Sequence, residues 1–342
     1  MSFSFFFSFH LIWIKDSWPR RGITFEKSTI LMRRFQINCQ RQLWASLLST
    51  MSWFYILGWF PSVVAVFGNA LVVFLIVSRP RLHTRPNWFI TSLALADFAV
   101  GFIYFPTNFL CGERSLCKNE IAQDIAVLAI YSSVTNLCAM TTDRYIAIME
   151  PLRYVAWMTT RRATIIIALA WLIPLILDYT PALCTRLGKC NLESKALVST
   201  KMILFEILPC LFLLITTTQI IITARRHWRK NALLNSQLQY NEPNRQRTKD
   251  YAAAKVIVTV VVIFIACYSV ELYSVVGFLV FSSLPSKEVV EVISFLIPVN
   301  SAANPIAYAL FKRDIRKELK KAYRKHLVPR PRFRASTAVW LN

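Results

Sequence analysis

The string Asp143-Arg144-Tyr145 places an acid and a guanidinium side by side at the end of the uncharged run 125–142. A guanidinium is always protonated and is costly near hydrocarbon, so Arg144 needs a partner, and the nearest one is the Asp143 carboxylate. The string alone fits two interpretations. Arg144 either anchors a helix end at the lipid headgroups or belongs to a functional charge pair.

Asp97 is a second residue with chemical potential, because it directly follows the apolar string 93–96. Hydroxyl and amide side chains also interrupt apolar runs, at Asn69, Ser133, Asn136, Asn300, Ser301 and Asn304. One carboxylate among such groups suits a small cation or ordered water. The alternative is a hydrogen-bonded packing cluster around a protonated Asp97.

The run that contains Asn304 continues as Asn304-Pro305-Ile306-Ala307-Tyr308. Proline removes a backbone donor and clashes with the preceding turn, so a helix is expected to kink there. The neighbouring amide and hydroxyl can bond the freed backbone or water, which makes this string a candidate moving part.

Composition places these residues in a membrane protein. The chain has 342 residues and is 55% hydrophobic, which is too apolar for an ordinary soluble domain or a disordered chain. The net charge of +22 resides in connections and chain ends, where Lys and Arg set topology and meet anionic lipid. We therefore expect the lipid bilayer as a partner and exclude nucleic acid.

Seven apolar segments of about bilayer length predict an all-α fold, a seven-transmembrane helix bundle. They are residues 54–78, 88–110, 120–148, 163–182, 200–224, 252–280 and 289–311. Lys and Arg are numerous in one set of connections, with three in 79–87, three in 150–162, seven in 225–251 and eleven in the tail from 312. The alternate connections have fewer, with two in 111–119, three in 183–199 and one in 282–288. This asymmetry predicts a multi-pass membrane protein with the N-terminus outside and the C-terminus and Arg144 on the cytoplasmic side.

The chain is thus expected to have three parts: an extracellular segment 1–53, a transmembrane domain 54–311 and a cytoplasmic part 312–342. Residues 1–50 combine a short apolar run with basic residues that are awkward to translocate. Two hypotheses stay open for them. They belong to the functional protein, or they are a dispensable or mispredicted leader before Met51.

The beginning of the cytoplasmic part has a regular apolar spacing. Phe311, Ile315, Leu319 and Tyr323 recur every four residues with cations between them. This spacing predicts a short amphipathic eighth helix along the inner leaflet, followed by a disordered basic tail.

Together these features resemble the rhodopsin-like (class A) G-protein-coupled receptors, from about Phe54 to Lys321. The resemblance rests on motifs that occur in order, one per segment. They are Gly68-Asn69, Asp97 with the string before it, Asp143-Arg144-Tyr145 with 146–154, Trp171, Pro209, Phe264 with Cys267, and Asn304-Pro305-Ile306-Ala307-Tyr308. The resemblance implies a plasma membrane receptor that binds an extracellular ligand and activates a heterotrimeric G protein.

The resemblance also implies roles for the matching positions. The coupling and activation residues would be Asp143, Arg144, Tyr145, Pro151, Leu152, Asp250, Asn304, Pro305 and Tyr308. Asp143 and Asp250 would hold Arg144 at rest, and the sixth helix would swing outward when ligand binds. An allosteric sodium pocket would consist of Asp97, Ser133, Asn300, Ser301 and Asn304. No other cofactor or metal is expected.

The chain departs from the family in its outer cysteines. Cys190 matches the family's outer-loop cysteine, but the position of its partner falls on Asn119, two residues after Cys117. We still expect a Cys117–Cys190 disulfide. Cys111 and Cys184 are candidates for a second one, although four cysteines allow three pairings.

Two helices also lack family residues. The sixth helix has Tyr268 and Val270 in place of a tryptophan and a proline, and the fifth has Thr217 in place of a tyrosine. A kink in the sixth helix would need another origin.

The positions that hold the amine-binding aspartate of monoamine receptors and the retinal lysine of opsins fall on Ala126 and Pro298. A light sensor is therefore not expected and an ordinary amine site is disfavoured, although Asp124 lies two residues away. The ligand-binding candidates are Asp124, Ala126, Asp178, Lys201, Glu206, Tyr268, Glu271 and Glu291.

Glu206 and Glu271 are the most informative of these candidates, because intramembrane acids are costly unless paired or hydrated. They favour a small polar or cationic ligand, or a short peptide. The alternative is that both pair with Lys201 inside the bundle.

Other functional classes fit less well. Midplane polar groups also occur in transporters, but the two halves of the chain show no internal repeat. A receptor-like binder that does not signal is a further alternative, since the sixth helix is altered. No HExxH or GxSxG motif and no pair of catalytic aspartates occurs in the apolar segments, so an enzyme is not expected.

Overall fold

The computed structural model describes residues 53–104, 107, 120–188, 195–238 and 245–327, which are helical apart from short connections. In this part of the chain seven helices are long and apolar enough to cross a membrane, which confirms the predicted all-α bundle. The first to seventh spans are Leu57–Ser78, Arg85–Tyr104, Ile121–Met149, Thr160–Thr185, Ala196–Arg226, Lys255–Phe281 and Lys287–Phe311.

Most helices begin and end close to the predicted limits. Those of the first, third, sixth and seventh spans are Trp53–Ser78, Glu120–Met149, Arg245–Phe281 and Lys287–Phe311. The connections hold a 3₁₀ turn at Pro80–Leu82 and a loop helix at Pro151–Trp157. Pro151 occupies the first turn of the loop helix, where a missing N–H costs nothing and the fixed φ favours helix.

Each of the other three spans contains a π turn. The second span consists of helix Arg85–Ala99 and π turn Val100–Tyr104. The fourth consists of helix Thr160–Pro174, π turn Leu175–Tyr179 and helix Thr180–Arg186, and the fifth of helix Lys195–Met202, π turn Ile203–Ile207 and helix Leu208–Leu238. A π turn inserts a residue into an α-helix and changes which side chains face its neighbours. Asp178 and Glu206 both lie in such turns and both are buried.

The third span lies at the centre of the bundle, because 72% of its apolar stretch is buried, which is the largest share among the seven spans. It packs against the second, fourth, fifth and sixth spans, while the first and seventh pack against each other and close the ring. Gly68 permits this closure, since a Cβ there would lie only 2.8 Å from Pro305 Cγ. On the outside, exposed Phe60, Phe67 and Phe74 recur every two turns and form a lipid-facing stripe.

The predicted eighth helix is present as Arg313–Leu327. Its residue Ile315 is fully buried. Its residue Glu318 accepts a hydrogen bond from Lys321 Nζ at 2.7 Å and forms an ion pair with Arg79 Nε at 3.9 Å. The Lys321 hydrogen bond holds the pKa of Glu318 below its usual range. This helix is therefore tied to the connection that follows the first span.

Candidate functional site

Arg144 lies at the end of the third span and is closed onto Asp143. Its Nε donates to Asp143 Oδ2 at 2.8 Å, and its Nη2 bonds the same oxygen. The Asp143 side chain is fully buried, whereas that of Arg144 keeps 16% of its surface exposed. The guanidinium therefore covers a buried carboxylate and reaches the end of the bundle.

Tyr154 of the loop helix is the second partner of this pair. Its hydroxyl donates to Asp143 Oδ1 at 2.8 Å and accepts from Arg144 Nη2 at 3.4 Å. Burial first, and then the negative charge of Asp143, raise the pKa of Tyr154 to about 12, so the hydroxyl keeps its proton at neutral pH. Sequence reasoning gave Tyr154 no role, although Pro151, which starts the helix one turn earlier, was a usable signal.

The remaining coupling candidates surround Arg144 unevenly. Tyr145 packs partly buried against the core, and Pro151 and Leu152 are exposed, with 94% of Leu152 accessible. Asp250 lies in the helix of the sixth span, but its side chain is outside the described residues. An Asp250–Arg144 contact therefore stays a prediction.

Lys312 is an additional cation near this end. Burial first, and then the positive charge of Arg144, lower the pKa of Lys312 to about 7, while Asp314 and Asp143 act in the opposite direction. Lys312 is therefore a titratable group beside the charge pair, which the sequence alone did not indicate.

Four of the five residues predicted as a sodium pocket lie together between the second, third and seventh spans: Asp97, Ser133, Ser301 and Asn304. Ser133 Oγ donates to Asp97 Oδ1 at 2.7 Å, and Asn304 Nδ2 donates to Asp97 Oδ2 at 2.6 Å. Ser301 is a further hydrogen-bonding neighbour of Asp97. Asn300 Oδ1 is buried and has no hydrogen-bond partner. The Asp97 carboxylate and the hydroxyls of Ser133 and Ser301 beside it fit a hard cation that prefers oxygen ligands.

Asn136 belongs to a separate network. Its Oδ1 accepts from Ser92 Oγ at 2.6 Å, and Trp171 Nε1 donates to the same Ser92 hydroxyl at 2.9 Å. The second, third and fourth spans are thereby joined by buried hydrogen bonds. Sequence reasoning named Asn136 and Trp171 but gave no sign that Ser92 connects them.

Four residues of the string 304–308 are buried in the bundle: Asn304, Pro305, Ala307 and Tyr308. Tyr308 is fully buried, with its hydroxyl 3.9 Å from Met140 Sδ, and Pro305 packs against Gly68. Asn69 Nδ2 donates to the Ser301 carbonyl at 3.1 Å, in the turn before the proline. The seventh span is thus held to the first and third spans around the predicted kink.

The sixth span shows the effect of the missing proline. Its helix runs without interruption from Arg245 to Phe281 and contains no proline. Within it Tyr268 is buried and stacks on Phe264, with ring centroids 4.2 Å apart. In the fifth span, Thr217 stands where the family has a tyrosine. The Oγ1 atom of Thr217 is buried and has no hydrogen-bond partner.

Four predicted acids are buried at the end of the bundle opposite Arg144. They are Asp124, Asp178, Glu206 and Glu271. Lys201 Nζ donates to Asp178 Oδ1 at 2.9 Å and to its carbonyl oxygen at 3.4 Å. The structure thus places the Lys201 ion pair between the fourth and fifth spans, instead of with Glu206 and Glu271.

Glu206 and Glu271 lie close enough to act on each other electrostatically, and both act on the Tyr268 hydroxyl. Tyr131 donates its hydroxyl hydrogen to Glu206 Oε1 at 3.3 Å and stacks on Phe205 at 4.5 Å. We name Glu206 and Glu271 the acid pair. Carboxylates bordered by aromatic rings in a low-dielectric interior are suited to binding an organic cation.

The other candidates at this end are less central. Ala126 is buried and cannot form an ion pair, whereas Glu291 is exposed at the start of the seventh span. Cys184 is disulfide-bonded, and the other described cysteines are free thiols. Cys111, Cys117 and Cys190 lie outside the described residues, so the pairing of the four cysteines stays a prediction.

The chain belongs to the rhodopsin family of seven-transmembrane receptors. Residues 68–308 match the family described as 7 transmembrane receptor (rhodopsin family). The chain is therefore a multi-pass plasma membrane receptor and not an enzyme. This result supports the receptor interpretation and gives no support to a transporter.

Individual receptors are similar along most of their length. Trace amine-associated receptor 6 of Homo sapiens is 30% identical over 291 residues, which cover 78% of this chain and 84% of that receptor. Octopamine receptor beta-2R of Chilo suppressalis is 29% identical over 305 residues, covering 75% and 76%. Trace amine-associated receptor 8 of Homo sapiens is 29% identical over 298 residues, covering 76% and 83%.

Proposed function

We propose that this chain is a G-protein-coupled receptor for a small cationic amine, which binds at the acid pair. The observation that carries the proposal is the burial of two carboxylates, Glu206 and Glu271, on adjacent spans beside the rings of Tyr131 and Tyr268. A charge in a low-dielectric interior interacts strongly with an opposite charge, so buried carboxylates would hold the ammonium group of a ligand tightly. Tyr131 and Tyr268 present aromatic rings that favour the same cation.

The similar receptors named for octopamine and trace amines support this ligand class. The amine site differs from the family's usual one, since Ala126 provides no carboxylate. In this proposal the negative charge has moved from the third span to the fifth and sixth. The small amine takes precedence over the short peptide, because the acids are buried.

The proposal includes the direction of signalling. The Lys and Arg distribution supports a bundle with the acid pair toward the extracellular side and Arg144 toward the cytoplasm. Ligand binding would release Arg144 from Asp143 and Tyr154, and exposed Leu152 would contact the G protein. A sodium ion held by Asp97 and its neighbours would stabilise the resting state.

Cells that express the receptor with reporters for each class of Gα subunit test the ligand assignment. We expect one or more primary amines, with octopamine in the panel, to activate the wild type, while neutral alcohols of matched size do not. Glu206→Gln and Glu271→Gln should each weaken the response at least about tenfold, since each removes one charge from a desolvated site. Glu288→Gln, at an exposed position of the seventh span, is the control. An amine response that survives both acid-pair substitutions would contradict the proposal.

A further inference from the structure

We propose that Arg85 and Arg162 hold the loop helix in the position from which it contacts the G protein. Both are positioning residues in this account, because they bond the backbone of the loop helix and leave its outward face to the partner. The inference rests on the proposed coupling to a G protein and adds two residues to it.

The loop helix is held by little packing of its own side chains. The structure describes all seven of its residues, and none of them is buried. Tyr154 is partly buried, whereas Leu152 and Val155 keep 94% and 69% of their surface exposed. A helix this short is unstable in water unless contacts to the rest of the protein hold it. Polar contacts at its ends and at Tyr154 are therefore needed to fix its position.

The carboxyl end of the loop helix receives two guanidinium groups. Arg85, at the start of the second span, donates through Nη1 to the carbonyl oxygen of Met158, the residue that caps the helix. Arg162 Nη1 donates to the Trp157 carbonyl oxygen at 2.9 Å, and its guanidinium lies over the Trp157 ring, 5.7 Å from the centroid. The last carbonyls of a helix carry partial negative charge, so cations are favourable there. We name these contacts the arginine clamp.

Both arginines are positioned by the helices of the bundle. Arg85 is partly buried, and its charge also acts on the Tyr154 hydroxyl. The backbone N–H of Arg162 donates at 3.3 Å to Oγ1 of Thr159, the N-cap of the helix of the fourth span. Met158 is 2% exposed and belongs to the hydrophobic core. The second and fourth spans therefore hold the same end of the loop helix.

The arginine clamp determines which face the loop helix presents. Leu152 and Val155 lie three residues apart and share one face, while Tyr154 bonds Asp143 Oδ1 at 2.8 Å. With Tyr154 and the carboxyl end both held, the helix cannot rotate or tilt freely. Loss of a clamp contact would free one end, so the exposed face would be correctly placed for the G protein for a smaller share of the time. The ligand site lies at the opposite end of the bundle and would be unaffected.

Nucleotide exchange on a purified G protein, titrated against the receptor in lipid vesicles with octopamine present, tests the role in coupling. We expect Arg85→Gln and Arg162→Gln each to raise the G-protein concentration for half-maximal exchange at least about fivefold. The maximal rate and the octopamine affinity should stay within about twofold of the wild type. Arg85→Lys, which keeps a charged donor, should recover the half-maximal concentration to within about twofold.

Arg161→Gln is the matched control, because it removes the exposed arginine next to Arg162 and leaves the arginine clamp in place. We expect it to behave as the wild type. A half-maximal concentration that is unchanged in both clamp variants, or raised equally in Arg161→Gln, would overturn the inference. So would a fall in the maximal rate alone, because that result would indicate a general structural defect.

A second measurement depends on neither octopamine nor a G protein. In hydrogen exchange of the ligand-free receptor, the reporters are the Met158 and Tyr154 amides, which bond the carbonyls of Tyr154 and Glu150 at 2.8 and 2.9 Å. We expect them to exchange at least about threefold faster in Arg85→Gln and Arg162→Gln, and at the wild-type rate in Arg161→Gln. Unchanged exchange in the clamp variants would refute the clamp even if the receptor couples. A wild type that activates no G protein, while exchange changes as expected, would refute the proposed coupling and leave the clamp intact.

Discussion

Removing the Tyr154 hydroxyl should raise the basal activity of this receptor. Tyr154→Phe keeps the ring but deletes the group that donates to Asp143 Oδ1 at 2.8 Å and accepts from Arg144 Nη2 at 3.4 Å. Both bonds hold the charge pair in its closed arrangement. If Arg144 must leave Asp143 to form the G-protein cleft, the closed state loses stability and the open state does not.

The size of the effect follows from the environment of the bond. Hydrogen bonds to charged groups contribute about 1.5–3 kcal/mol net, and the partial exposure of the Arg144 side chain favours the lower value. A change of about 1.4 kcal/mol corresponds to a factor of ten in an equilibrium constant. We therefore expect the open population, and with it ligand-independent signalling, to rise about tenfold while that population is small.

The assay is ligand-free G-protein activation, normalised to the amount of receptor at the cell surface. Asp143→Asn and the double variant complete a mutant cycle, and we expect their effects to be non-additive, because both substitutions break one shared bond. The raised pKa of Tyr154 keeps its hydroxyl protonated at neutral pH, so the difference between wild type and Tyr154→Phe should not change from pH 6 to pH 8. Basal activity of Tyr154→Phe within about twofold of the wild type would refute the reasoning.

Three other predictions concern the interior and the cytoplasmic end. Gly68→Ala would place a Cβ 2.8 Å from Pro305 Cγ, so we expect it to cost about 1–3 kcal/mol and to lower the thermal midpoint of the purified receptor. Gly277→Ala, where the nearest atom is Ser283 Oγ at 3.3 Å, should lower it less, and equal shifts would argue against the close packing of the first and seventh spans. Sodium chloride should weaken octopamine binding to the wild type more than potassium chloride does, and Asp97→Asn should abolish this difference; a difference that persists would exclude Asp97 as the ligand of the ion. Lys312 has a pKa of about 7 in the fold and about 10.4 when unfolded, so the unfolded state binds more protons between these values and stability should rise with pH there. Lys312→Gln should reduce that rise in thermal unfolding from pH 7 to pH 10, and an unaltered slope would show that another group causes it.

The fold was predictable because membrane insertion imposes length and backbone satisfaction on each segment. Apolar length located all seven spans, and the four-residue spacing that includes Ile315 located the helix that begins at Arg313. Polar residues within apolar runs were likewise informative, since burial in a bilayer brings them together. Asp97, Ser133 and Asn304 indeed share hydrogen bonds.

Contacts between spans were harder to predict from the sequence. The π turns that carry Asp178 and Glu206 leave no signature in composition, yet they decide which way these acids face. Lys201 had several acids as alternatives, and only the folded structure shows that its Nζ lies 2.9 Å from Asp178 Oδ1 of the fourth span. Tyr154 was missed for the same reason, because its partner depends on how the loop helix folds back onto Asp143.

The most direct test of the receptor assignment is nucleotide exchange on a panel of purified heterotrimeric G proteins, measured with the receptor in lipid vesicles and octopamine present. We expect the wild type to accelerate exchange on at least one of them, and Arg144→Ala to abolish this while octopamine still binds. Arg153→Ala, which removes an exposed arginine paired with Glu150 at 3.2 Å, should behave as the wild type. A wild type that activates no G protein, or an Arg144→Ala variant that activates as well as Arg153→Ala, would contradict the account.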